Sequence, residues 1–543
     1  MREHDVAREN LGLWLTELRA NYVDQDSHLL AIARRFGRPE LVEELRTFGR
    51  VAADMDRPIR RTNQEPNLPR LDRYDAIGRR TEQVVFHPDY HAIGRALYAT
   101  GAMARYAEPG SELDSLAMVY VAAQNGESGH TCPMACTAGM IKILQGGDGT
   151  APPEWLERLL KPDYDEHYHG AQFLTEVQGG ADVGTNAALA SSAGDGSYRI
   201  NGEKWFCSVA DAHLMLVTAR VGSAQGTPGV QSFIVPRHLA DGTVNGLQLR
   251  RLKDKLGTRS MASAEIDFVD AWAWPVGDFK ATVRVVLNTS RLYNAVVSSG
   301  MLQRTWREVE AYARHRVAFG VPLRTFPQVA MTLADVRATT YAARGLTFAL
   351  VHLSDSLTRG SGGPVERGAY RMLVNLNKFW TSDQCTATIR DGIEILGGNG
   401  AIEEFSVLPR LLRDSIVCEQ WEGPHNVLCQ QVLRDCHRLS LHKAMFAWLE
   451  GLAGPHPRLE RARERWDRVL AMPSAEQARH IRQIATELRP VAQAIALLAE
   501  AASPQGDPMA GQVAAWVLAR SEPGYDPLDD TDLKQRISAL IGR

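Results

Sequence analysis

One stretch, residues 173–208, constrains the fold of this chain more than any other, because a polar glycine-rich loop leads directly into β-forming segments. The loop breaks the hydrophobic periodicity with three closely spaced glycines, Gly179, Gly180 and Gly184. Loops of this kind bind phosphates and polar rings through backbone N–H groups. The Asn201-Gly202 pair then predicts a β-hairpin, since it supplies the positive φ of a type I′ turn. The strand after that turn would carry Trp205, Phe206 and Ser208.

Helical regions flank this stretch on both sides. Residues 87–144 and 285–436 place apolar residues at helical spacing, whereas residues 173–283 are β-rich. The further strands predicted there are Leu214–Ala219, Gln231–Val235, Leu247–Leu249 and Ser263–Val269. They do not alternate with helices and no GxGxxG follows a strand, so a Rossmann fold is not predicted. The pattern indicates an α+β chain with a β-domain between two helical domains.

The two ends of the chain extend this plan. Residues 1–50 predict polar helices, and residues 54–73, with three prolines and several arginines, predict a loop or arm. Beyond Leu439 five further helices are predicted, Lys443–Leu452, Pro457–Leu470, Ala475–Ala502, Gly511–Leu518 and Asp532–Leu540. The resulting division has five parts, an N-terminal extension (1–75), a helical domain (76–170), a middle β-domain (171–283), a second helical domain of four-helix type (284–439) and a helical extension (440–543).

Charge gives no general reason for nucleic-acid binding. The 543-residue chain has a formal net charge of −3, and residues 440–543 contain thirteen basic and thirteen acidic side chains. Such a segment lacks the positive charge that phosphate neutralisation needs. Nucleic-acid binding is therefore not excluded, but it is not supported by the charge of this extension.

The cysteine pattern predicts reduced thiols. The seven cysteines are an odd number, and none of their spacings is CxxC. With no apolar signal at the N-terminus, this pattern predicts a cytoplasmic protein without a structural metal. The longest apolar run, near residues 490–502, is shorter than the roughly 20 residues of a membrane span, so no span is predicted.

The loop and strand at 173–208 resemble the acyl-CoA dehydrogenase superfamily, whose members carry a Thr-Glu loop and an aromatic-x-Ser/Thr strand against a flavin. The matching residues are Thr175-Glu176 and Phe206-Cys207-Ser208. Three segments are similar in sequence to the corresponding segments of the AidB-type, alkylation-response branch, namely Gln178-Gly179-Gly180, Lys204-Trp205-Phe206 and residues 127–133. The resemblance covers about residues 80–435. It implies the acyl-CoA dehydrogenase fold and FAD as the cofactor.

The resemblance also implies which residues hold the flavin ring. The backbone of Phe173, Leu174 and Thr175, with the Thr175 hydroxyl, would bind the ring. Phe206 and Ser208 would lie beside its N5 edge. The loop contributes Gly180 and Ala181 to the same site. The alternative is an ordinary surface hairpin after a glycine-rich loop.

Two further segments resemble those segments of the family's proteins that contact the cofactor of a partner subunit. Residues 316–323 match the pattern Arg-x-x-Phe-Gly-x-x-Leu, in which the arginine contacts the flavin pyrophosphate across a dimer. The second segment resembles a helix end of the family, at which the backbone of glycine residues contacts the phosphates on the adenine side of the cofactor. The residues implied are Arg316, Phe319, Gln328, Glu394, Gly397 and Gly398. A solvated arginine and an ordinary glycine C-cap are the alternatives. Together the segments imply a homo-oligomer, a dimer or a dimer of dimers (a homotetramer).

The segment from Trp421 to Asn426 resembles the place where most of these dehydrogenases keep their base. Glu422 would remove the substrate α-proton while the β-hydride passes to flavin N5. Desolvation beside Trp421 would raise the pKa of this carboxyl toward the working pH. Trp421, Gly423 and Asn426 would also contact the cofactor, with Asn426 on its adenylate side. In some relatives the base precedes an arginine on an earlier helix, but here that position is Ser290, which cannot serve.

The implied substrate pocket contains several unrelated side chains. Residues 127–133 join two helices beside the substrate cavity in the superfamily. The pocket residues are His130, Cys132, Ala181, Arg291 and Trp421. A helix cap and a packed thiol are the alternative for His130 and Cys132. Ala181 replaces a serine that helps to bind the acyl thioester in much of the family, which puts ordinary acyl-CoA binding in question.

The sequence thus predicts a FAD-dependent oxidoreductase that oxidises the Cα–Cβ bond of an acyl thioester or a related substrate. Two alternatives stay open. One is an oxygen-using oxidase or nitrogen-hydroxylating monooxygenase on the same fold. The other is a stress-response flavoprotein that binds without turnover. The electron acceptor is not predicted.

Overall fold

The computed structural model of the protein describes residues 2–147 and 149–542. They form two compact units. The helical unit comprises Met1–Asp54, Pro109–Gly126 and Asn294–Arg543, and the sheet unit comprises Met55–Glu108 and Glu127–Tyr293. The finer division into five domains remains a prediction.

Helices make up most of the described chain. In chain order they are α1 (Glu3–Leu18), α2 (Ser27–Phe36), α3 (Leu41–Thr62), α4 (Pro88–Tyr98), α5 (Glu112–Ala123), α6 (Thr131–Gly146), α7 (Pro153–Leu159), α8 (Phe279–His315), α9 (Pro327–Thr358), α10 (Pro364–Leu396), α11 (Leu408–Gln420), α12 (His425–Leu439), α13 (Leu441–Ala453), α14 (Pro457–Leu470), α15 (Ser474–Ala501), α16 (Ala510–Arg520) and α17 (Leu533–Ile541).

The strands are short and fall mostly in the sheet unit. They are β1 (Arg70–Tyr74), β2 (Arg80–Val85), β3 (Gly170–Phe173), β4 (Leu189–Ser192), β5 (Tyr198–Ser208), β6 (Leu214–Arg220), β7 (Val230–Pro236), β8 (Leu247–Leu252), β9 (Ser263–Pro275), β10 (Val317–Ala318) and β11 (Val321–Pro322).

The main sheet of the sheet unit closes on itself. Its strand order is β3-β6-β4-β5-β9-β7, with β8 paired to β9 and a further pairing between β6 and β7. Alternate side chains of these strands fill the interior, including Phe173, Ile200, Phe233 and Ile266. Burial of this apolar surface is the main stabilising contribution to the unit. The end of β3 therefore has a fixed position, and the glycine-rich loop begins there.

The hairpin predicted at Asn201-Gly202 is wrong, because β5 runs through this pair without turning. Both halves of β5 pair with β9, and the register shifts between Ile200 and Gly202 in a β-bulge. Gly202 is required here because a Cβ atom would lie 2.6 Å from the Ala188 Cα. The real turn joins β4 to β5 at residues 193–197, where Gly194 and Gly196 have positive φ. Distant strand partners have outweighed the local turn signal.

The loop or arm predicted for residues 54–73 is also wrong in part, since α3 continues to Thr62 and β1 begins at Arg70. Met55 and Ile59, one helical turn apart, are both buried. Their burial stabilises the helix enough to accommodate Pro58 in its interior.

In the helical unit the C-terminal extension packs on the preceding helices. The five predicted extension helices are confirmed, with ends within two residues of the predicted ones. α13 packs on α10, and α15 packs on α9 and α12. The Trp380 indole N–H of α10 donates to the Ala485 carbonyl of α15 at 3.0 Å. Among the described residues, no helix has the length and apolar content that crossing a membrane requires.

Candidate functional site

In the sheet unit the structure brings the predicted flavin-ring residues together. Phe173 is fully buried at the end of β3, and Leu174 and Thr175 follow it half-buried. The Trp205 N–H donates to the Thr175 carbonyl at 2.9 Å, which joins the loop to β5. Gly180 lies close against Thr175, since a Cβ atom there would be 2.9 Å from the Thr175 Oγ1.

A buried ion pair that the sequence analysis missed fixes this arrangement. The Lys204 Nζ lies 2.7 Å from the Glu176 Oε1, and both side chains are almost fully buried. The same carboxylate accepts from the backbone N–H of Ala187 at 2.6 Å. Burial acts to raise the pKa of Glu176, but Lys204 and these hydrogen bonds outweigh it and hold the pKa below its usual value. The only sequence signal was the Thr-Glu and Glu-Lys-Trp pattern itself.

The strand beside this pair presents an exposed aromatic ring with a lysine ammonium group next to it. Phe206 is 54% exposed, and the Lys253 Nζ lies 3.5 Å from the Trp205 ring centroid and 4.9 Å from that of Phe206. The Ser208 Oγ lies 3.0 Å from the Ser263 Oγ. An exposed ring next to hydroxyl groups and a close-packed glycine loop fits the shape and hydrogen-bonding needs of a flavin ring.

His130 and Cys132 take packing positions in the sheet unit. His130 is fully buried, donates from Nε2 to the Tyr90 carbonyl at 2.9 Å and stacks on the Tyr90 ring. Burial lowers the pKa of His130 to about 4, so the ring is neutral. A hydrogen bond with Cys136 and burial raise the pKa of Cys132 well above its usual range. His130 stands at the N-cap of α6, but its side chain does not bond to the first turn. The contacts favour two packed side chains, and a pocket role for either residue stays a prediction.

Other predicted pocket residues differ widely in exposure. Arg291 of α8 is buried, and the neighbouring Ser290 hydroxyl donates to the Gln172 Oε1 at 3.4 Å. Ala181 is exposed in the loop. Their roles toward a substrate stay predictions.

In the helical unit Arg316 directly follows α8 and opens a small hairpin. β10 and β11 pair across Phe319 and Gly320, whose positive φ values of 51° and 81° form the turn. Phe319 is 97% exposed at its tip. Gln328 is exposed in the first turn of α9. Arg316 is thus held between α8 and the hairpin, because its N–H donates to the Tyr312 carbonyl at 2.8 Å and its carbonyl accepts from the Leu323 N–H at 2.8 Å.

The glycines after α10 are also open. Gly397 ends α10 with φ +60°, which is the C-cap role, and Glu394 is exposed one turn earlier. A Cβ atom at Gly397 or Gly398 would meet no atom within 4 Å. The backbone at this end is accessible to another molecule.

Glu422 lies in a sharp turn between α11 and α12. Glu422 and Gly423 have φ values of 58° and 106°, and the Glu422 side chain is half-buried next to Trp421. Lys378 of α10, which is fully buried, donates from Nζ to the carbonyls of Glu419 at 2.8 Å and Gly423 at 3.1 Å. The turn is therefore held on both sides of Glu422. Sequence reasoning missed Lys378, although a lysine within the apolar pattern of α10 was a signal.

Asn426, in the first turn of α12, is exposed and contacts the C-terminal extension. Its Oδ1 accepts from the Arg482 Nη1 of α15 at 3.0 Å. Within residues 2–147 and 149–542, no group of three or more histidine, cysteine or acidic side chains is arranged to hold a metal ion.

Three family models match successive parts of the chain. The adaptive response protein AidB N-terminal domain matches residues 17–166. The acyl-CoA dehydrogenase middle domain matches residues 171–271, and the acyl-CoA dehydrogenase C-terminal domain matches residues 279–437.

Individual proteins show the same similarity. The Escherichia coli (strain K12) protein AidB is 34% identical over 434 residues, which are 76% of this chain and 78% of AidB. The crystal structure of Caenorhabditis elegans ACDH-11 in complex with C11-CoA is 26% identical, with a TM-score of 0.83 over 96% of this chain and 94% of that chain. A Bacillus anthracis acyl-CoA dehydrogenase complexed with FAD is 18% identical, with a TM-score of 0.62 over 100% of this chain and 88% of that one, a likeness of fold alone.

Proposed function

Because the chain belongs to the acyl-CoA dehydrogenase family, in its AidB-type branch, and is a flavin-dependent oxidoreductase that uses FAD, we propose that it oxidises the Cα–Cβ bond of an acyl thioester. The family, the fold and the cofactor predicted from the sequence are confirmed. The reaction and its residues are the proposal. The observation that carries it is Glu422, a half-buried carboxylate presented by a turn that Lys378 holds.

The residues of the sheet unit suit the flavin ring of FAD. When bound, FAD supplies the acceptor for the hydride of the substrate β-carbon. The Thr175 hydroxyl and the backbone of Phe173 and Leu174 would hydrogen-bond the ring, with Gly180 and Ala181 in the same loop. Phe206 would cover an apolar face of it, and Ser208 would bond its polar edge. The Glu176–Lys204 pair supports this assignment because it fixes the loop to β5.

Residues of the helical unit suit the other end of the cofactor. Arg316 and Gln328, with the open backbone at Gly397 and Gly398, would meet the diphosphate of FAD bound by a second copy of the chain. Phe319 and Glu394 would contribute to the same contact, and Trp421, Gly423 and Asn426 would line the cofactor. The support is accessibility to a ligand or a partner, because Arg316, Trp421 and Gly423 are half-buried and the other residues of this set are exposed.

Glu422 acts as the base in this proposal. Its carboxylate takes the α-proton, and the electrons of the broken Cα–H bond form the Cα=Cβ double bond as the β-hydride leaves. The substrate thus loses one proton and one hydride. Trp421 would exclude water from the carboxylate, which favours proton transfer near neutral pH.

The substrate class rests on the relatives. ACDH-11 was crystallised with C11-CoA, which supports an acyl-CoA ligand for this chain as well. His130, Cys132, Ala181, Arg291 and Trp421 are the proposed pocket residues. The acyl chain, the carrier and the electron acceptor are left for experiment.

We also propose that the chain self-associates, as a dimer or a dimer of dimers. An apolar hairpin tip supports this, because Val317, Phe319 and Val321 are all exposed at one place. Monomeric proteins rarely leave such neighbouring apolar side chains uncovered.

The decisive experiment is anaerobic. The FAD-loaded protein is mixed with a panel of acyl-CoAs and the visible flavin absorbance is followed, for the wild type, Glu422→Gln and Glu419→Gln. One acyl-CoA class should bleach the wild type and Glu419→Gln, whereas Glu422→Gln should lose at least about a hundredfold in rate, as expected when a general base is removed.

Glu419 is the matched control, because it is a half-buried carboxyl on α11 whose pKa is raised by burial. Loss of bleaching in Glu419→Gln alone would show that the wrong carboxylate has been assigned. Absence of bleaching by every acyl-CoA at full FAD occupancy would contradict the dehydrogenase proposal. Oxygen uptake, or binding without turnover, would then be the function to measure.

A further inference from the structure

The C-terminal extension places a cation at the segment that follows Glu422. Arg482 of α15 donates from Nη1 to the Asn426 Oδ1 at 3.0 Å. We propose that Arg482 is part of the FAD site, where it orients the Asn426 amide and supplies positive charge to the phosphate on the adenylate side of the cofactor. This inference rests on the proposed role of Asn426.

Packing holds Arg482 at this position. Its guanidinium carbon lies 5.6 Å from the centroid of the Phe379 ring, within the range of a cation–π contact. Phe379 in turn lies 4.7 Å from the His425 ring, and the His425 Nε2 is 3.3 Å from the Ser382 Oγ. The side chain is therefore supported from α10 as well as from α12.

Arg482 forms no ion pair among residues 2–147 and 149–542, although its charge acts on Glu419 from a longer distance. Other arginines of α15 are paired, Arg479 with Glu476 and Arg489 with Asp383. Arg482 has no carboxylate within 4 Å among residues 2–147 and 149–542, and it is exposed. An exposed guanidinium whose donors are mostly unused is suited to bind a phosphate group.

A second feature at the same place favours an anion. α12 begins at His425, and Pro424 at its N-cap provides no side-chain hydrogen bond to the first turn. The free N–H groups and the helix dipole give this end a partial positive charge. With its Oδ1 fixed by Arg482, Asn426 turns its NH2 group away as a further donor. The phosphate on the adenylate side of FAD is the anion that the proposed role of Asn426 brings to this segment.

The test is FAD affinity of the apoprotein, measured by fluorescence titration at two salt concentrations without substrate. We expect Arg482→Ala to bind FAD about tenfold more weakly, because the loss of one charge-assisted hydrogen bond has an effect of this size. Its FAD affinity should also depend less strongly on the salt concentration. Arg482→Lys should recover part of the affinity. Arg479→Ala removes the same charge from the same helix and should bind FAD like the wild type.

Wild-type FAD affinity and salt dependence in Arg482→Ala would overturn the inference and leave Arg482 a packing residue. If that variant does not fold, Arg482→Gln carries the same comparison, since it keeps a donor for Asn426 and removes the charge. An equal loss in Arg479→Ala would also overturn it, because the effect would then be general. No substrate enters this assay, so its result is independent of whether Glu422 is the base.

Discussion

At the scale of single residues, the helical unit gives the candidate base an internal support. Lys378 is fully buried, yet its ammonium group donates to the two carbonyls that flank Glu422, those of Glu419 and Gly423. A buried ammonium group is costly unless its hydrogen bonds are satisfied, so its position is well defined. The backbone on either side of Glu422 is correspondingly fixed.

This support predicts that Lys378→Met slows substrate-dependent flavin reduction by about ten- to a hundredfold, since a displacement of about 1 Å has effects of that size. The substrate dissociation constant should change much less. Stopped-flow reduction over a range of substrate concentrations separates the two quantities.

The matched control for Lys378 is Arg371→Met. Arg371 also joins α10 to α12, through a bidentate pair with Asp435 at 2.6 and 2.8 Å, but it does not contact the turn at Glu422. The Arg371→Met substitution should lower the free energy of unfolding without slowing flavin reduction. A Lys378→Met protein with the wild-type reduction rate would contradict the positioning role.

At the scale of elements, the hairpin β10–β11 is the feature that most needs a partner. Its turn is formed by Phe319 and Gly320, which both have positive φ, and the Phe319 ring is almost fully exposed. The turn holds this apolar ring in solvent, at a free-energy cost that burial in an interface would remove.

We therefore expect Phe319→Asp to shift the protein toward smaller assemblies, as measured by size-exclusion chromatography with light scattering. Leu528→Asp is the control, because Leu528 is 92% exposed on a different element and should leave the mass unchanged. A Phe319→Asp protein with the same mass as the wild type would rule out this hairpin as the interface. A wild-type monomer would contradict self-association itself.

At the scale of the whole molecule, stability should depend on pH through a group of buried histidines in the sheet unit. Burial lowers the pKa of His130, His167 and His213 to about 4 each, and it also holds the pKa of His169 well below its usual value. The rings of His167 and His169 lie 5.2 Å apart, and the Tyr98 hydroxyl lies 3.0 Å from the His169 Nδ1. The folded unit therefore keeps these rings neutral.

The sign of the effect follows from proton binding. Between pH 6.5, the usual histidine pKa, and about pH 4 the unfolded chain binds more protons than the folded one, so the free energy of unfolding falls as the pH falls. A shift from 6.5 to about 4 corresponds to roughly 3 kcal/mol for one histidine at the acid end of this range.

Urea unfolding at pH 7, 6, 5 and 4.5 should show this loss. The free energy of unfolding should fall less steeply with decreasing pH in His130→Gln than in the wild type. This pH slope is the informative quantity, because it changes even if the substitution lowers stability at every pH. Equal slopes for the two proteins would show that His130 is not held neutral by burial.

The sequence by itself determined what depends on neighbouring residues. The extension helices were predicted to within two residues, because periodicity and end signals are local. The order of the glycine loop, the Phe-Gly turn and the Trp-Glu-Gly segment was enough to predict the family, the fold and FAD. The residues proposed to contact cofactor and substrate stay predictions, which the experiments above address.

The tertiary structure alone decided what depends on partners far along the chain. β5 continues through Asn201-Gly202 because β9, more than sixty residues later, pairs with both halves. The contacts of Lys204 with Glu176, of Lys378 with Gly423 and of Arg482 with Asn426 join residues separated by 28, 45 and 56 positions. Periodicity and turn propensity act over a few residues, so they cannot specify which distant groups meet, and those contacts are what hold the candidate site.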